Sequence, residues 1–545
     1  MRQSLFLLTL LVCSSLFAQE YTRQDSLRGS ITPEREWWDL RYYDLNVAVD
    51  IPNKTISGSN LIRYKVLKAG KVMQVDLQEP MIIDKVMQDG KSLEVIHEGN
   101  AHFIQLEAVQ EKGAVKEITV FYHGEPKEAI RAPWDGGFSW KEDSNGKPFI
   151  ATSCQGLGAS VWWPNKDHMY DENDEGMSMS FTVPEDLVAV GNGRLVKTTK
   201  NKKDKTKTYT WKVVNPINNY GVNLNIGDYV TFSEKYPGEK GELDMIYYVL
   251  RENLDKAKEQ FKDAVRTLEA FEHWFGPYPF YEDSYKLVEV PYLGMEHQSS
   301  VTYGNKYGNG YLGRDLSGTG WGLKWDYIII HESGHEWFAN NITYKDYADM
   351  WVHESFTCYS ESLFTEYFYG KEAGAEYVRG QRMGIGNRSS MIGNYDVNDN
   401  GDDLYNKGAN VLHTIRQIVG DDEKWRSILR GLNEEFYHQT VTTSQIENYI
   451  SDKSGVDLSK VFDQYLRDYR VPVLEYFVTE GKIIGRWTNV VDGFDMTTEL
   501  IVDGKSVKVS PTTRWGDLQV DASESSITHD PNYYIYSADI TVETK

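Results

Sequence analysis

The sequence predicts a multidomain α+β protein in which a β-rich stretch, a mainly helical stretch and a second β-rich stretch follow one another. Three observations carry this. Apolar residues alternate with polar ones from Trp38 to about Leu250, the period lengthens to a helical one from Asn253 to about Arg470, and alternation returns after Arg470-Val471-Pro472. The domain limits that follow are 1–18 for a signal peptide, 19–250 for an N-terminal β domain, 251–470 for a helical domain and 471–545 for a C-terminal β domain.

Each element has a local cause. Arg2 supplies one positive charge, Leu5 to Val12 form an apolar run too short for a membrane span, and Ala18 is a small residue before Gln19, the pattern of a secretory signal cleaved after Ala18. An exported, periplasmic or extracellular protein is therefore expected, with no integral membrane segment after signal removal. Lipid anchoring through Cys13 is disfavoured because Val12 is bulkier than the small residue wanted before a lipidated cysteine. In the first β stretch Leu45, Val47, Val49 and Ile51 alternate before a Pro52-Asn53-Lys54 turn, and the lysines from Lys197 to Lys207 read as a solvated hairpin tip. Ala257, Phe261, Val265, Leu268 and Phe271 then share one helical face until Gly276-Pro277 stops it. After Pro472, Leu474, Tyr476, Val478, Ile483 and Ile484 mark short strands separated by glycine turns.

Charge and composition limit the function. Lys+Arg 58 against Asp+Glu 81 give a net charge of -23, or -24 once Arg2 leaves with the signal, which repels phosphate backbones and excludes nucleic acid as the main partner. Three cysteines, Cys13, Cys154 and Cys358, are too few for a disulfide framework or a cysteine-rich metal module. Cys154 and Cys358 either pair after export or stay as buried thiols, with free thiols favoured.

Chemistry concentrates in the helical stretch. His331-Glu332-Ser333-Gly334-His335 is an H-e-x-x-H pattern in which histidines four apart project from one helix face to share a metal, with Glu332 placed to activate a water there. A catalytic zinc takes three protein ligands, and Glu354, nineteen residues after His335, is the expected third. Glu361, two helical turns beyond, is either an acceptor for the second nitrogen of a ligand histidine or an ordinary helix-surface glutamate. His353 beside the third ligand points elsewhere on the same helix and is expected to pack.

A second cluster narrows the chemistry. Pro291-Tyr292-Leu293-Gly294-Met295-Glu296-His297 resembles the G-x-M-E-N element of the aminopeptidase N type of gluzincin metallopeptidases, as does the eighteen-residue spacer between His335 and Glu354. Leu404-Tyr405-Asn406-Lys407-Gly408 is similar to that family's Y-x-K-G helix start, and Ser153-Cys154-Gln155-Gly156 to the segment where it places a glutamine. Trp337, Asn340 and the phrase from Val461 to Leu466 also match, while Leu293 and His297 depart from the family's usual Gly and Asn.

The resemblance covers nearly all of the mature chain. It implies an N-terminal β saddle, a thermolysin-like mainly helical catalytic domain and a C-terminal β-sandwich, one zinc ion on His331, His335 and Glu354, and peptide substrates with a free N-terminus. It further implies that Gly294 and Met295 align an extended substrate, that Glu296 and Gln155 hold its α-ammonium group, and that Tyr405 donates to the oxyanion while Glu332 moves the proton. Three other readings share part of this evidence. A thermolysin-type endopeptidase has no reason to carry Glu296 in this setting; a hydrolase of small epoxide-type substrates uses the same ligands; and a retired, non-enzymatic scaffold predicts loss of at least one of His331, Glu332, His335, Glu354 or Tyr405, none of which is lost.

Overall fold

Strand-forming sequence early in the chain finds its partners mostly within the first half. The computed structural model describes residues 21–521 and 526–540; the predicted signal segment 1–18, with Cys13, lies outside the described residues. A ten-stranded sheet is built around Trp38–Asp50, which pairs antiparallel with Thr55–Val66 on one side and parallel with Met177–Pro184 on the other. Leu45, Val47 and Val49 point to one face and are buried, as their alternation requires. The Lys-rich segment is an exposed hairpin of Arg194–Asn201 and Thr206–Val213 at the sheet edge, where solvated charge discourages further pairing. A four-stranded sheet containing Gly137–Glu142 and Pro148–Ser153 lies beyond it and leads into Gln155.

The predicted limit at 250 differs from the structure. Tyr229–Gly238 and Gly241–Leu250 form a hairpin whose second strand runs parallel to Tyr285–Glu289, so two strands assigned to the N-terminal β domain belong to the five-stranded sheet of the helical part, which begins at Tyr229. Alternation in sequence reports that a segment is a strand, not which sheet it joins. The remaining strands of that sheet are Val301–Tyr303 and, at its edge, Gly294–Met295. Alternate residues of this sheet serve two cores. Tyr285 and Leu287 join the core of the helical part, whereas Val288, Val290 and Met295 join that of the β saddle, so the sheet is the wall between them.

The helices pack on the other face. Lys262–Phe275, Tyr327–Gly334, Trp351–Tyr369 and Asn406–Val419 enclose Leu268, Ile329, Phe356 and Leu412, each essentially inaccessible to water. The chain closes in two small sheets, one of four strands around Val473–Thr479 and Lys482–Thr488 and one of three around Thr498–Val502, which bury Trp487, Phe494 and Leu500 between them. This core is continuous with that of the helices. Cys154 and Cys358 are both buried and free, and no described helix is long and apolar enough to cross a membrane.

One buried carboxyl joins the β saddle to the helical part. Glu172 accepts from Thr343 Oγ1 at 2.7 Å; burial, with a smaller push from Asp171, raises it from its ordinary 4.5 up to about 8. A carboxyl raised in the folded state favours folding below its unfolded value, and that contribution is lost as pH climbs through the folded one. Between pH 5 and pH 9 the wild type should therefore lose stability relative to Glu172→Gln by on the order of 2 kcal/mol or more. Urea denaturation of both proteins across that range measures it; parallel pH curves would contradict it.

Candidate metal centre and active site

The helix Tyr327–Gly334 that carries the histidines is short and is held by specific stops. Asp326 caps it by accepting from the backbone nitrogens of Ile328 and Ile329, and it ends at Gly334, with His335 as its C-cap. Gly334 has no side chain to spare, since a Cβ there would lie 2.7 Å from Ser360 Oγ on the neighbouring helix. That close packing sets His331 and His335 against Glu354, whose Oε2 lies 3.8 Å from His331 Nε2 and 3.5 Å from His335 Nε2.

These residues fit a zinc ion. Tetrahedral bonds of roughly 2.1 Å separate neighbouring donor atoms by about 3.4 Å, close to the two spacings found. Glu354 Oε2 is buried and has no hydrogen-bond partner, as a donor reserved for a cation would be. Both histidines are also held by their second nitrogens. His331 Nδ1 donates to Glu361 Oε1 at 2.7 Å, and His335 Nδ1 lies 3.0 Å from both Phe338 O and Thr357 Oγ1, leaving each Nε2 lone pair facing the shared volume. Glu361 is thus an acceptor rather than a surface residue. It is fully buried and is itself fixed by Tyr377 Oη at 2.7 Å and Gln381 Nε2 at 2.9 Å.

Acidic groups crowd the same space. Donor atoms of Glu296, Glu332 and His335 lie within 4.8 Å of one another. Burial pushes Glu332 up to about 7, with Glu296 adding to the rise and His331 opposing it. Burial opposes ionisation of Glu354 too, but His335 and His331 together hold it down at about 2. Gln155 reaches in from the β saddle and bridges two of the acids, donating from Nε2 to Glu296 Oε1 at 2.6 Å and to Glu354 Oε1 at 3.0 Å. Asn340 Nδ2 fixes the Glu296 backbone carbonyl at 2.9 Å.

Glycines bring the remaining parts close. At Gly294 an added Cβ would sit 2.5 Å from Ile328 Cγ2, so only glycine lets the edge strand pass beside the His331 helix. At Gly408 a Cβ would lie 1.8 Å from Ser355 Oγ, so Asn406–Val419 can approach the helix of Glu354 only without a side chain there. That approach places Tyr405, the residue before the helix, in a stacked arrangement on His331 with ring centroids 6.1 Å apart. The residue as a whole is partly exposed, yet burial of its hydroxyl end and the charges of Glu354 and Glu296 hold the phenol well above its ordinary value and thus protonated.

All nine site residues read from the sequence, Gln155, Gly294, Met295, Glu296, His331, Glu332, His335, Glu354 and Tyr405, line one cleft of about 380 Å³. The two departures separate. Leu293 lines the cleft, whereas His297 is buried outside it with Nδ1 3.2 Å from Thr302 Oγ1 and belongs to packing. His353 also packs: its Nε2 accepts from the Tyr344 backbone nitrogen at 2.8 Å, and its ring stacks on Tyr344. Tyr311 and Tyr327 line the cleft as well and were not singled out in the sequence. Tyr327 had a readable signal, since it stands four residues before His331 on the same helix face.

The Peptidase family M1 domain model matches residues 259–465 and the Peptidase M1 N-terminal domain model residues 40–220. Among curated relatives, a probable aminopeptidase 2 of Sulfurisphaera tokodaii is 23% identical over 386 residues, covering 67% of this chain and 46% of that protein. An aminopeptidase N of Lactobacillus helveticus is 24% identical over 464 residues, covering 81% and 52%. The chain thus spans about half the length of the curated relatives it matches. The M1 zinc metallopeptidase of Deinococcus radiodurans shares the fold with a TM-score of 0.67 and 18% identity, over 82% of this chain and 96% of that one. Two models that fall one on the β saddle and one on the helices carrying His331, His335 and Glu354, together matching well over half of the sequence, show that this chain belongs to peptidase family M1.

Proposed function

We propose that the protein is a zinc aminopeptidase that removes the N-terminal residue from peptides. The observation that carries this reading is the position of Glu296. Its buried carboxylate lies beside the ligand cluster, shares Gln155 with Glu354, and stands at the end of an edge strand that offers hydrogen bonds to an extended chain. A carboxylate at fixed distance from the reacting carbonyl binds a terminal ammonium group and measures off one residue. An endopeptidase gains nothing from such a stop. A fold neighbour from Deinococcus radiodurans has been solved with a Tyr-Ser-Ala substrate, a short peptide of the kind proposed here.

A zinc ion held by His331, His335 and Glu354 supplies Lewis-acid polarisation of the scissile carbonyl and of water. The chain's own groups do the rest. Glu296 and the Gln155 amide hold the ammonium group, and the Gly294–Met295 edge keeps the backbone extended. Glu332, raised towards neutrality by burial, takes a proton from the attacking water at its carboxylate and passes it to the leaving nitrogen. Tyr405 donates its hydroxyl hydrogen to the developing oxyanion, an interaction worth about 3 kcal/mol. Glu361 keeps the His331 Nδ1 proton in place, so the imidazole presents its lone pair without reorganising.

Export belongs to the same proposal and rests on residues 1–18. The mature chain recovered from outside the cytoplasm should begin at Gln19 on N-terminal sequencing, and retention of Met1 would sink that part of it.

Substrate and metal dependence separate the roles. Free peptides should be shortened from the N-terminus while their N-acetylated forms resist, with activity lost to a chelator and restored by zinc; equal cleavage of acetylated peptides would disprove the aminopeptidase reading. Glu332→Gln should cost about 10²–10⁴-fold in kcat while zinc stays bound. Glu361→Gln should instead weaken zinc about 10–100-fold in chelator competition. Near-normal turnover in the first variant, or unchanged zinc affinity in the second, would refute the corresponding role.

A further inference from the structure

Residues 21–30 lie outside the cleft, where the β saddle meets the helical part, and they touch both. Thr22 caps a seven-residue helix, Arg23–Gly29, which is too short to be stable by itself, so its contacts decide where it sits. On the saddle, Arg23 pairs with Glu98, and Gln24 Nε2 donates to the Glu98 carbonyl at 3.2 Å. On the helical part, Tyr21 Oη donates to Asp399 Oδ2 at 2.6 Å and accepts from Asn394 Nδ2 at 2.7 Å. The chain leaving the helix is held by Arg35, a buried guanidinium that donates to the Arg28 and Ser30 carbonyls and pairs with Asp76 at 2.7 Å.

The last two residues of this helix meet two loops that feed the active site. Arg28 Nη2 donates to the Gly156 carbonyl at 2.9 Å, one residue after Gln155. Gly158, at φ +93°, keeps that side clear, since a Cβ there would stand 2.7 Å from Arg28 Nη2. Gly29 meets the loop 391–404, which carries Asn400 into the cleft and runs into Tyr405. A Cβ on Gly29 would overlap the Asn398 backbone nitrogen and the Val397 carbonyl carbon, so the loop lies flush against it. Arg28, Gly29, Gln155 and Asn398 all border one space of about 30 Å³ behind the cleft. We propose that residues 21–30 are a clamp in which Arg28 positions Gln155 for the substrate amine and Gly29 positions the loop of Asn400 and Tyr405 for the reacting carbonyl. This rests on the aminopeptidase reading. Neither residue lines the cleft, so each acts through the loop it holds. The two loops act at different stages. An amide on the ammonium group binds substrate and transition state alike and sets KM, whereas a donor to the oxyanion acts only in the transition state and sets kcat.

The test uses full-length zinc-loaded protein and the tripeptide Leu-Gly-Gly, measuring kcat and KM separately. Arg28→Ala should raise KM about tenfold and leave kcat within about twofold, and Arg28→Lys, which keeps a donor for the Gly156 carbonyl, should recover most of the loss. Gly29 has no positive φ, so Gly29→Ala acts there only as a wedge; it should lower kcat about tenfold or more at little cost in KM. Tyr21→Phe, which deletes the hydroxyl bonded to Asp399, should act in the same direction and serves where Gly29→Ala does not fold. Zinc affinity in chelator competition should match the wild type throughout. Hydrogen exchange adds a readout free of catalysis: Arg28→Ala should speed exchange in residues 153–158 and Gly29→Ala in residues 391–404. A merely structural role would lower the melting temperature and leave both constants of the folded protein alone. Unchanged constants in both variants, or a change of the same constant in both, would overturn the clamp, as would loops that exchange at the wild-type rate. N-acetyl-Leu-Gly-Gly separates this from failure of the function itself. If it is cleaved as fast as the free peptide the aminopeptidase reading falls, and the exchange rates of the two loops then decide the clamp alone.

Discussion

Two imidazoles and three carboxylates occupy one buried volume, and most of what surrounds them exists to make that tolerable. His331, His335, Glu296, Glu332 and Glu354 each retain less than a tenth of their exposure. An unpaired charge in such a place is among the costliest arrangements a fold can contain. The acids are compensated by histidines, by the forked Gln155 amide and by the affinity of the cluster for a dication. The histidines are compensated in turn by Glu361, the Phe338 carbonyl and Thr357. Removing Glu361 would leave His331 Nδ1 without its carboxylate partner, and removing Gln155 would take a donor from both Glu296 and Glu354. Partners fixed in this way are also what a catalytic constellation needs.

The partners come from distant parts of the chain, which ties the site to the whole fold. Gln155 arrives from the β saddle, on a segment whose Gly156 carbonyl is held by Arg28 Nη2 at 2.9 Å. Glu296 comes from the edge of the shared sheet, Glu361 from the helix of the third ligand, and Tyr405 from the start of the helix packed against it. Because that sheet faces the saddle core with one side and the helical core with the other, the cleft lies where the two meet. The saddle contributes Pro133, Trp134, Gln155 and Gly156 to the lining of the cleft.

What could be read from the sequence was whatever a local spacing determines. Histidines four apart and a glutamate nineteen further on are statements about helices, and the strand alternation at Leu45 to Ile51 is a statement about one face of a sheet. Gly294-Met295-Glu296 and Lys407-Gly408 were legible only through their resemblance to family motifs, and the close approaches that require glycine at 294 and 408 are visible only in the fold. Non-local facts were not available in this way. Nothing in Tyr229 to Leu250 says that these strands pair with Tyr285–Glu289 rather than with the saddle. Glu361 has the same spacing whether it faces His331 or solvent. His297 and Leu293 stand equally near the motif, and only the fold turns one into the core and the other into the cleft.

Gly408 has a consequence for how finely the site is set. It lies three residues from Tyr405, yet the gap between two helices closes only because a methyl group is missing there. Any side chain at 408 would act as a shim. It would move Tyr405 away from His331 by a fraction of a bond length for each increment of bulk while leaving every catalytic group chemically intact. The smallest residue in the motif thus fixes where Tyr405 stands. The placement of Tyr405 is held by an absence of atoms.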